Sequence, residues 1–428
     1  MTYSEALDKI HSLLTFGSRP GLDRVRELLR RMGNPQDKLS YIHVAGTNGK
    51  GSTCAMLSAV LQAAGYKTGL FISPYITDFR ERIQVDNQMI SEETLTAAVE
   101  ETFPLVEALR DEGVIITEFE YVNALEFYIH AAAQCDVVVL ETGMGGLLDC
   151  TNVILPPLCA VITTIGLDHT AILGDTIEAI AAQKCGIFKQ GSHAVTSAQD
   201  SRAMAVIRQT ATERKLPLTE SASAVITPLE VTLHGSRFLY RGSEIMLPLS
   251  GDHQLENAKT ALAAIEVLRG NHLLAISDEA IVRGMKQAVN PARLELISEQ
   301  PPILLDGAHN PNGIEALKAA IDRFLPAIDI TCVMGMLADK DIDSSLALLD
   351  GVFSQIYTVP IDNSRALAPE LLAKKCAAHA AVAQAFDSRE AAIDEAVRRA
   401  VQNNGAVLIC GSLYLAGAVR PYLLAKYH

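Results

Sequence analysis

The chain is short of positive charge. Its 428 residues carry 36 Lys and Arg against 50 Asp and Glu, a net charge of −14. The basic field that non-specific nucleic-acid or anionic-membrane binding needs is therefore missing, and neither partner is expected. No apolar run approaches the roughly 18 residues that span a bilayer. The first ten residues have amphipathic helical periodicity in place of a basic stretch followed by an apolar run, so no signal peptide is expected and the cytoplasm is the expected compartment. None of the eight cysteines (54, 135, 150, 159, 185, 332, 376 and 410) stands in a C-x-x-C pair. Scattered mostly through apolar stretches, they read as buried free thiols in a reducing compartment. Internal repeats and low-complexity tracts are also missing. What remains is a globular composition, 49% hydrophobic and 20% charged, on a chain long enough for two or three domains.

The most informative segment is Tyr41-Ile-His-Val-Ala followed by Gly46-Thr-Asn-Gly-Lys-Gly-Ser-Thr53. An apolar strand runs into a glycine-rich turn and then into a helix. Glycines let backbone N–H groups converge on phosphate oxygens, Lys50 supplies a point charge, and the helix points its positive dipole end at the same place. The ordinary pattern G-x-x-x-x-G-K-[ST] is not met: Val44 stands where its first glycine belongs, and Gly51 where the hydroxyl should follow the lysine.

Downstream, apolar β-type runs alternate with helical periodicity, the pattern of a parallel sheet flanked by helices. Strands are expected at 41–45, 68–72, 137–141, 160–165 and 194–196, and helices at 52–64, 92–110, 121–133 and 202–215. Residues 222–249 alternate as antiparallel strands and are expected at the sheet's edge. Helices at 254–268 and 278–288 follow. Asn290-Pro291 breaks the pattern, and a boundary between Val289 and Arg293 divides residues 1–292 from a smaller α/β domain at 293–428. In that domain strands are expected at 303–306, 330–335, 355–359 and 406–410, with helices from 312, from 369 and near 390–402. The active site is expected in the cleft between the domains.

Three further segments carry chemistry. Val137-Val-Val-Leu-Glu141 ends a buried strand in a carboxylate; beside a phosphate loop such an acid holds Mg²⁺, and otherwise it caps the next helix. Thr163-Thr-Ile-Gly-Leu-Asp-His169 brings Asp168 and His169 to the same sheet edge. Imidazole is an unusual Mg²⁺ ligand, so His169 reads as a hydrogen-bonding residue as readily as a ligand. Ile303-Leu-Leu-Asp306-Gly-Ala-His309-Asn-Pro311 repeats strand, acid and histidine. Asp306 and His309 either meet a ligand in the cleft or serve only turn amides and a helix cap. Lys184, in Gln183-Lys-Cys-Gly-Ile-Phe-Lys189, would ordinarily pass for a solvated helix-end charge.

Taken together and in order, H-V-A-G-T-N-G-K-G-S-T (43–53), S-P-Y-I-T-D-F-R-E-R-I (73–83), E-T-G-M-G-G-L-L-D-C-T-N (141–152), I-G-L-D-H-T (165–170), K-C-G-I-F-K (184–189), H-Q-L-E-N-A (253–258) and L-D-G-A-H-N-P (305–311) resemble the folylpolyglutamate synthase and dihydrofolate synthase family of Mur-type ligases. The resemblance implies an α/β fold: a P-loop-type, mostly parallel sheet domain with helices on both faces, plus a smaller Rossmann-like C-terminal domain. It implies that Thr47, Asn48, Gly49, Lys50 and Gly51 hold ATP phosphates, with Asn257, Arg293 and Asp306 as further nucleotide contacts. It implies Mg²⁺ at Ser73, Glu141 and His169, and a Lys184 carboxylated on its side-chain nitrogen. Lys50, Lys184, Asp306 and His309 would be the catalytic set. Thr117, Arg82, Leu148, Asp149 and Cys150 would form the pterin side, with folate and L-glutamate as substrates of a monomeric enzyme.

Four positions depart from the family pattern. Leu147 stands for arginine, Gln183 for glutamate, Cys185 for alanine and Ala292 for glycine. Loss of a planar cation at 147 is expected to alter folate positioning. The implied reaction is ATP-driven amide formation through an acyl phosphate on the folate γ-carboxylate, with dihydropteroate as a second acceptor. Two rivals are a Mur-type cell-wall peptide ligase and a non-catalytic paralogue that binds folate or nucleotide.

Overall fold

A computed structural model describes residues 1–13 and 21–428. The first sheet takes β1 (Tyr41–Ala45), β2 (Thr68–Phe71), β3 (Ile83–Val85), β4 (Gln88–Met89), β5 (Val137–Glu141), β6 (Cys159–Ile162), β7 (His193–Thr196) and β8 (Leu218–Glu220). Their spatial order is β4-β3-β2-β5-β1-β6-β7-β8. From β2 to β8 all neighbours are parallel, and β3 and β4 add an antiparallel edge. Alternation explains why both faces are covered. Ile42, Val44, Val137 and Val139 point into one core with the Lys50–Ala63 and Asp252–Gly270 helices. Tyr41, Val138 and Leu140 point into the other, against the Glu92–Asp111 and Glu118–Ala132 helices.

The strands β9 (Ile226–Thr232), β10 (Gly235–Tyr240) and β11 (Ser243–Leu247) do not extend the edge of that sheet, as the sequence led us to expect. They form a three-stranded antiparallel sheet of their own. The reason is their apolar face: Phe238, Tyr240, Ile245 and Leu247 pack into the core under the Asp252–Gly270 helix, a contact that in-plane pairing would forgo. The strand expected to reach residue 165 stops at Ile162, because the backbone beyond it serves the phosphate loop.

A third sheet comprises β12 (Glu295–Glu299), β13 (Pro302–Leu305), β14 (Ile330–Met334), β15 (Gln355–Thr358), β16 (Val382–Ala385) and β17 (Ala406–Cys410), in the order β12-β13-β17-β14-β15-β16. All pairs are parallel except β12 with β13. A last helix, Leu413–Tyr427, follows β17. It also reaches the segment that follows β2: Gly417 lies so close to the Ile76 carbonyl that a Cβ would strike it. Among the described residues no helix is long and apolar enough to cross a membrane. All eight cysteines are free, and all but Cys150 are buried.

Candidate active site

The phosphate loop leaves the carboxyl end of β1 between β5 and β6. Register places Val44 opposite Glu141 and Ala45 opposite Ile162, so the acid that ends β5 is the loop's neighbour. The amides of Thr47 and Asn48 donate to the Thr164 carbonyl, and the Thr163 hydroxyl donates to Asn48 O at 2.8 Å. Glycine is required at two loop positions. A Cβ on Gly46 would run into Thr163 Oγ1; on Gly49, at φ +85°, it would run into Asn257 Oδ1. Gly49 also opens the Lys50–Ala63 helix, whose first amides and dipole face the loop.

A cavity of about 330 Å³ lies over this loop, lined by Thr47, Asn48, Gly49, Lys50, Gly51, Ser73, Glu141, His169, Lys184, Asn257, Arg293, Asp306 and His309 among others. Every nucleotide, metal and catalytic candidate of the sequence therefore faces one space. Lys50 Nζ donates to Thr47 O at 3.2 Å and stands 3.9 Å from Glu141 Oε1. Glu141 is buried, accepts the Ser73 amide at 3.1 Å on its other oxygen, and has its pKa raised by burial, against the pull of Lys50. His169 sits in left-handed conformation, φ +51°. Its side chain is 39% exposed; the desolvation it does undergo lowers its pKa against the opposing pull of Asp168, which favours the neutral imidazole that can offer a lone pair.

Lys184 is 4% exposed, and Nζ donates to Gly46 O at 2.7 Å. No carboxylate pairs with it among the described residues. Burial first, and then Lys50, lower its pKa to about 7.

Asp306 uses both oxygens on backbone, taking the amides of Leu294 and Ala308 at 2.7 Å each. Those are the turn amides that one reading of its sequence anticipated, and its further lone pairs face the cavity. His309 holds its ring through Nδ1–H to Gly307 O at 2.8 Å, which leaves Nε2 unprotonated; burial lowers its pKa to about 4.

The linker is braced. Ala292 and Leu294 both have positive φ, +55° and +48°, which explains why glycine is the usual residue at 292. Glu295 accepts the Ala292 amide at 2.9 Å and also takes Arg420 Nη2, on the last helix, at 2.7 Å.

Sequence reasoning missed the contacts that join the domains. Asp168 accepts Lys340 Nζ at 2.7 Å and Asn310 Nδ2 at 3.0 Å, with His309 Nε2 3.8 Å away. Burial works to raise its pKa, but Lys340, which donates to it, outweighs that and holds the carboxyl ionised. Asn48 of the phosphate loop donates to Asn312 Oδ1 at 2.7 Å and to Asn310 Oδ1 at 3.2 Å. The only signal available was the Asn-Pro helix start, which does not reveal what the asparagines face.

A second cavity, about 490 Å³, shares Ser73, Pro74, Gly143, Met144, His169, His309 and Leu413 with the first. Arg82, Thr117, Leu148, Asp149 and Cys150 all line it. Asp149 is internally committed, accepting Met144 N at 2.8 Å and Thr151 Oγ1 at 2.5 Å. Leu147 is not in the wall. Its side chain is exposed, while its amide donates to Gln183 O at 2.8 Å, so the expected effect of the missing arginine on folate has no direct contact behind it.

Among the described residues no three His, Cys, Asp or Glu side chains gather to hold a metal. One carboxylate, one imidazole and the Ser73 hydroxyl are too few for a closed structural site. They suit Mg²⁺, which keeps waters and takes substrate phosphate oxygens.

Residues 44–265 match the Mur ligase middle domain, and residues 292–413 match the glutamate ligase domain of Mur ligases. The chain is 39% identical over 430 residues to the dihydrofolate synthase/folylpolyglutamate synthase of Bacillus subtilis (strain 168), covering 98% of this chain and 99% of that one. It is 37% identical over 434 residues to the folylpolyglutamate synthase of Lacticaseibacillus casei, covering 99% of each. Among solved structures, the folylpolyglutamate synthase of Mycobacterium tuberculosis complexed with ADP and AMPPCP superposes with a TM-score of 0.90 at 31% identity, covering 98% of this chain and 99% of that one.

Proposed function

The chain belongs to the folylpolyglutamate synthase and dihydrofolate synthase family of the Mur ligase superfamily, and from that premise we propose how its two cavities divide the work. It is an ATP-dependent ligase that adds L-glutamate to the γ-carboxylate of folate. The nucleotide occupies the cavity over the phosphate loop, the folate occupies the cavity of Arg82 and Thr117, and the reacting carboxylate lies where the two meet at Ser73, His169 and His309. That shared wall is the observation that carries the assignment.

The carboxylate attacks the γ-phosphorus of ATP, ADP leaves, and an acyl phosphate forms. The glutamate amine then attacks the acyl carbon, loses a proton and expels phosphate. Lys50 and Arg293 spread positive charge over the triphosphate, Gly49 and Gly51 present backbone donors to it, and Thr47 and Asn48, whose amides hold the Thr164 carbonyl, fix the turn around the phosphates. Asn257 fills the wall behind Gly49. Asp306 and His309 hold the second domain's loop against the nucleotide. Closure between residues 1–292 and 293–428, through Asp168 and Asn48, keeps water from the acyl phosphate.

Ser73, Glu141 and His169 would hold Mg²⁺, which when bound supplies charge neutralisation on phosphate oxygens. Lys184 fits this centre best as an N-carboxylate. Among the described residues its amine is buried without an anionic partner, and carboxylation would replace a cation beside the metal site with anionic oxygens while keeping an N–H for Gly46 O. Dihydropteroate, which offers the same kind of carboxylate, is proposed as a second acceptor.

The test is to incubate the protein with ATP, glutamate and either tetrahydrofolate or dihydropteroate and to weigh the products. Addition of glutamate is expected, with loss of turnover of about a thousandfold or more in Lys50→Ala. Near-normal ligation by that variant would overturn the assignment of the phosphate loop.

A further inference from the structure

We infer that Arg82 is the receptor for the α-carboxylate of the folate substrate, and hence the residue that distinguishes a glutamylated pteroate from one carrying no glutamate. The inference rests on the ligase reading above and names the group that the folate cavity recognises.

Among the described residues, three side chains of positive charge line that cavity: Arg82, Lys340 and Arg365. Two are already committed. Lys340 Nζ is 2.7 Å from Asp168 Oδ1, and Arg365 Nη1 is 2.9 Å from Asp339 Oδ2. Arg82 has neither an ion pair nor a side-chain hydrogen bond among the described residues, and its Nε is buried without a partner. Its guanidinium is held between aromatic rings, 5.1 Å from the centroid of Tyr75 and 5.6 Å from that of Phe79. Glu118 is near enough to act on it through space but makes no ion pair with it; that carboxylate stands 3.6 Å from His11 Nδ1 instead.

A guanidinium cannot shed its proton to escape burial, so it keeps five donors that require an acceptor. Ring faces steady a cation but satisfy no N–H. The cavity it faces is therefore built to receive an anion, and the planar fork selects a carboxylate that can take two parallel bonds.

Which anion follows from the layout. Phosphates belong to the neighbouring space, where Lys50 and Arg293 lie, and neither residue lines this one. A folate brings two carboxylates. The γ-carboxylate must reach the junction at Ser73 to react, which leaves the α-carboxylate in the cavity. Dihydropteroate brings a single carboxylate, the reacting one, and so makes no use of Arg82.

The experiment compares tetrahydrofolate with its α-carboxamide analogue, in which the γ-carboxylate is the sole ionised group, as acceptors for wild type and Arg82→Gln. In wild type the amide should have a KM about tenfold to a hundredfold higher. Arg82→Gln should raise the KM for tetrahydrofolate by a similar factor, leave that for the amide within about twofold, and not move the KM for ATP. Should Arg82→Gln not fold, Arg82→Lys, which keeps the charge without the fork, is expected to give an intermediate KM for tetrahydrofolate and an unchanged one for the amide. Equal KM values for the two acceptors in wild type would overturn the inference, as would a variant that raises both alike. A wild type that consumes no tetrahydrofolate would instead overturn the ligase reading, a result distinct from two equal KM values.

Discussion

A lysine that is 4% exposed, with its amine on a carbonyl and no paired carboxylate among the described residues, is in an unusual state. Burial makes the ammonium form costly, and with its pKa near 7 about half the amine is neutral at physiological pH, whereas an ordinary lysine is almost wholly charged. Only the neutral form attacks CO₂. Carboxylation of Lys184 should therefore be fast near pH 8 and fall about tenfold for each unit below 7, as the amine takes up its proton. Enzyme depleted of CO₂ at pH 6 is expected to lose activity and to regain it when bicarbonate is added at pH 8. Lys184→Ala should be nearly inactive and be partly rescued by short carboxylic acids. Full activity in Lys184→Ala would refute the assignment; no rescue together with a bare amine by mass spectrometry would leave a catalytic lysine without the modification. The sequence marked this residue through resemblance alone, since a lysine at a helix end gives no sign of whether the fold buries it.

At the scale of elements, the opening of the Lys50–Ala63 helix sets the site. Gly49 combines positive φ with contact against Asn257, whereas Gly65, also at positive φ (+96°), has open space around its Cβ position. Alanine at either should cost about 1–2 kcal/mol through backbone strain. Gly49→Ala should in addition raise the KM for ATP about tenfold or more, because the helix must move off Asn257. Thermal melts with ATP kinetics separate the two effects, and an equal kinetic loss in Gly65→Ala would show that strain alone is responsible. Strand, turn and helix around Gly49 were legible because phosphate chemistry dictates local sequence. The place of β9–β11 was not: their alternation declares one apolar face but not which layer covers it. The last helix was missed for a related reason. Pro421 lies inside it, and its close approach to Ile76 through Gly417 is a tertiary fact.

At the scale of the whole molecule, Asp168 ties one domain to the other. Lys340 and Asp168 are 8% and 12% exposed at their side chains, so their pair is shielded and should couple strongly. In a cycle of Asp168→Asn, Lys340→Met and the double variant, a coupling of about 1–3 kcal/mol in unfolding free energy is expected. X-ray scattering should show a larger radius of gyration in each single variant. Strict additivity with an unchanged radius would mean that closure rests on the asparagines of residues 48, 310 and 312 instead. None of these pairings was legible in the sequence: Asn48, Asp168 and Asn310 stand in motifs, but their partners are more than a hundred residues away and neither segment shows what it faces.

The braced linker has a practical consequence for handling this protein. Arg420, close to the end of the chain, grips the same Glu295 carboxylate that fixes Ala292, so the tail helix is a strut under the joint between the halves. A trimmed tail that removes Arg420 is expected to loosen that joint, and with it the helix whose first residue, Leu413, lines both cavities. Libraries made to improve expression should leave residues 413–427 intact.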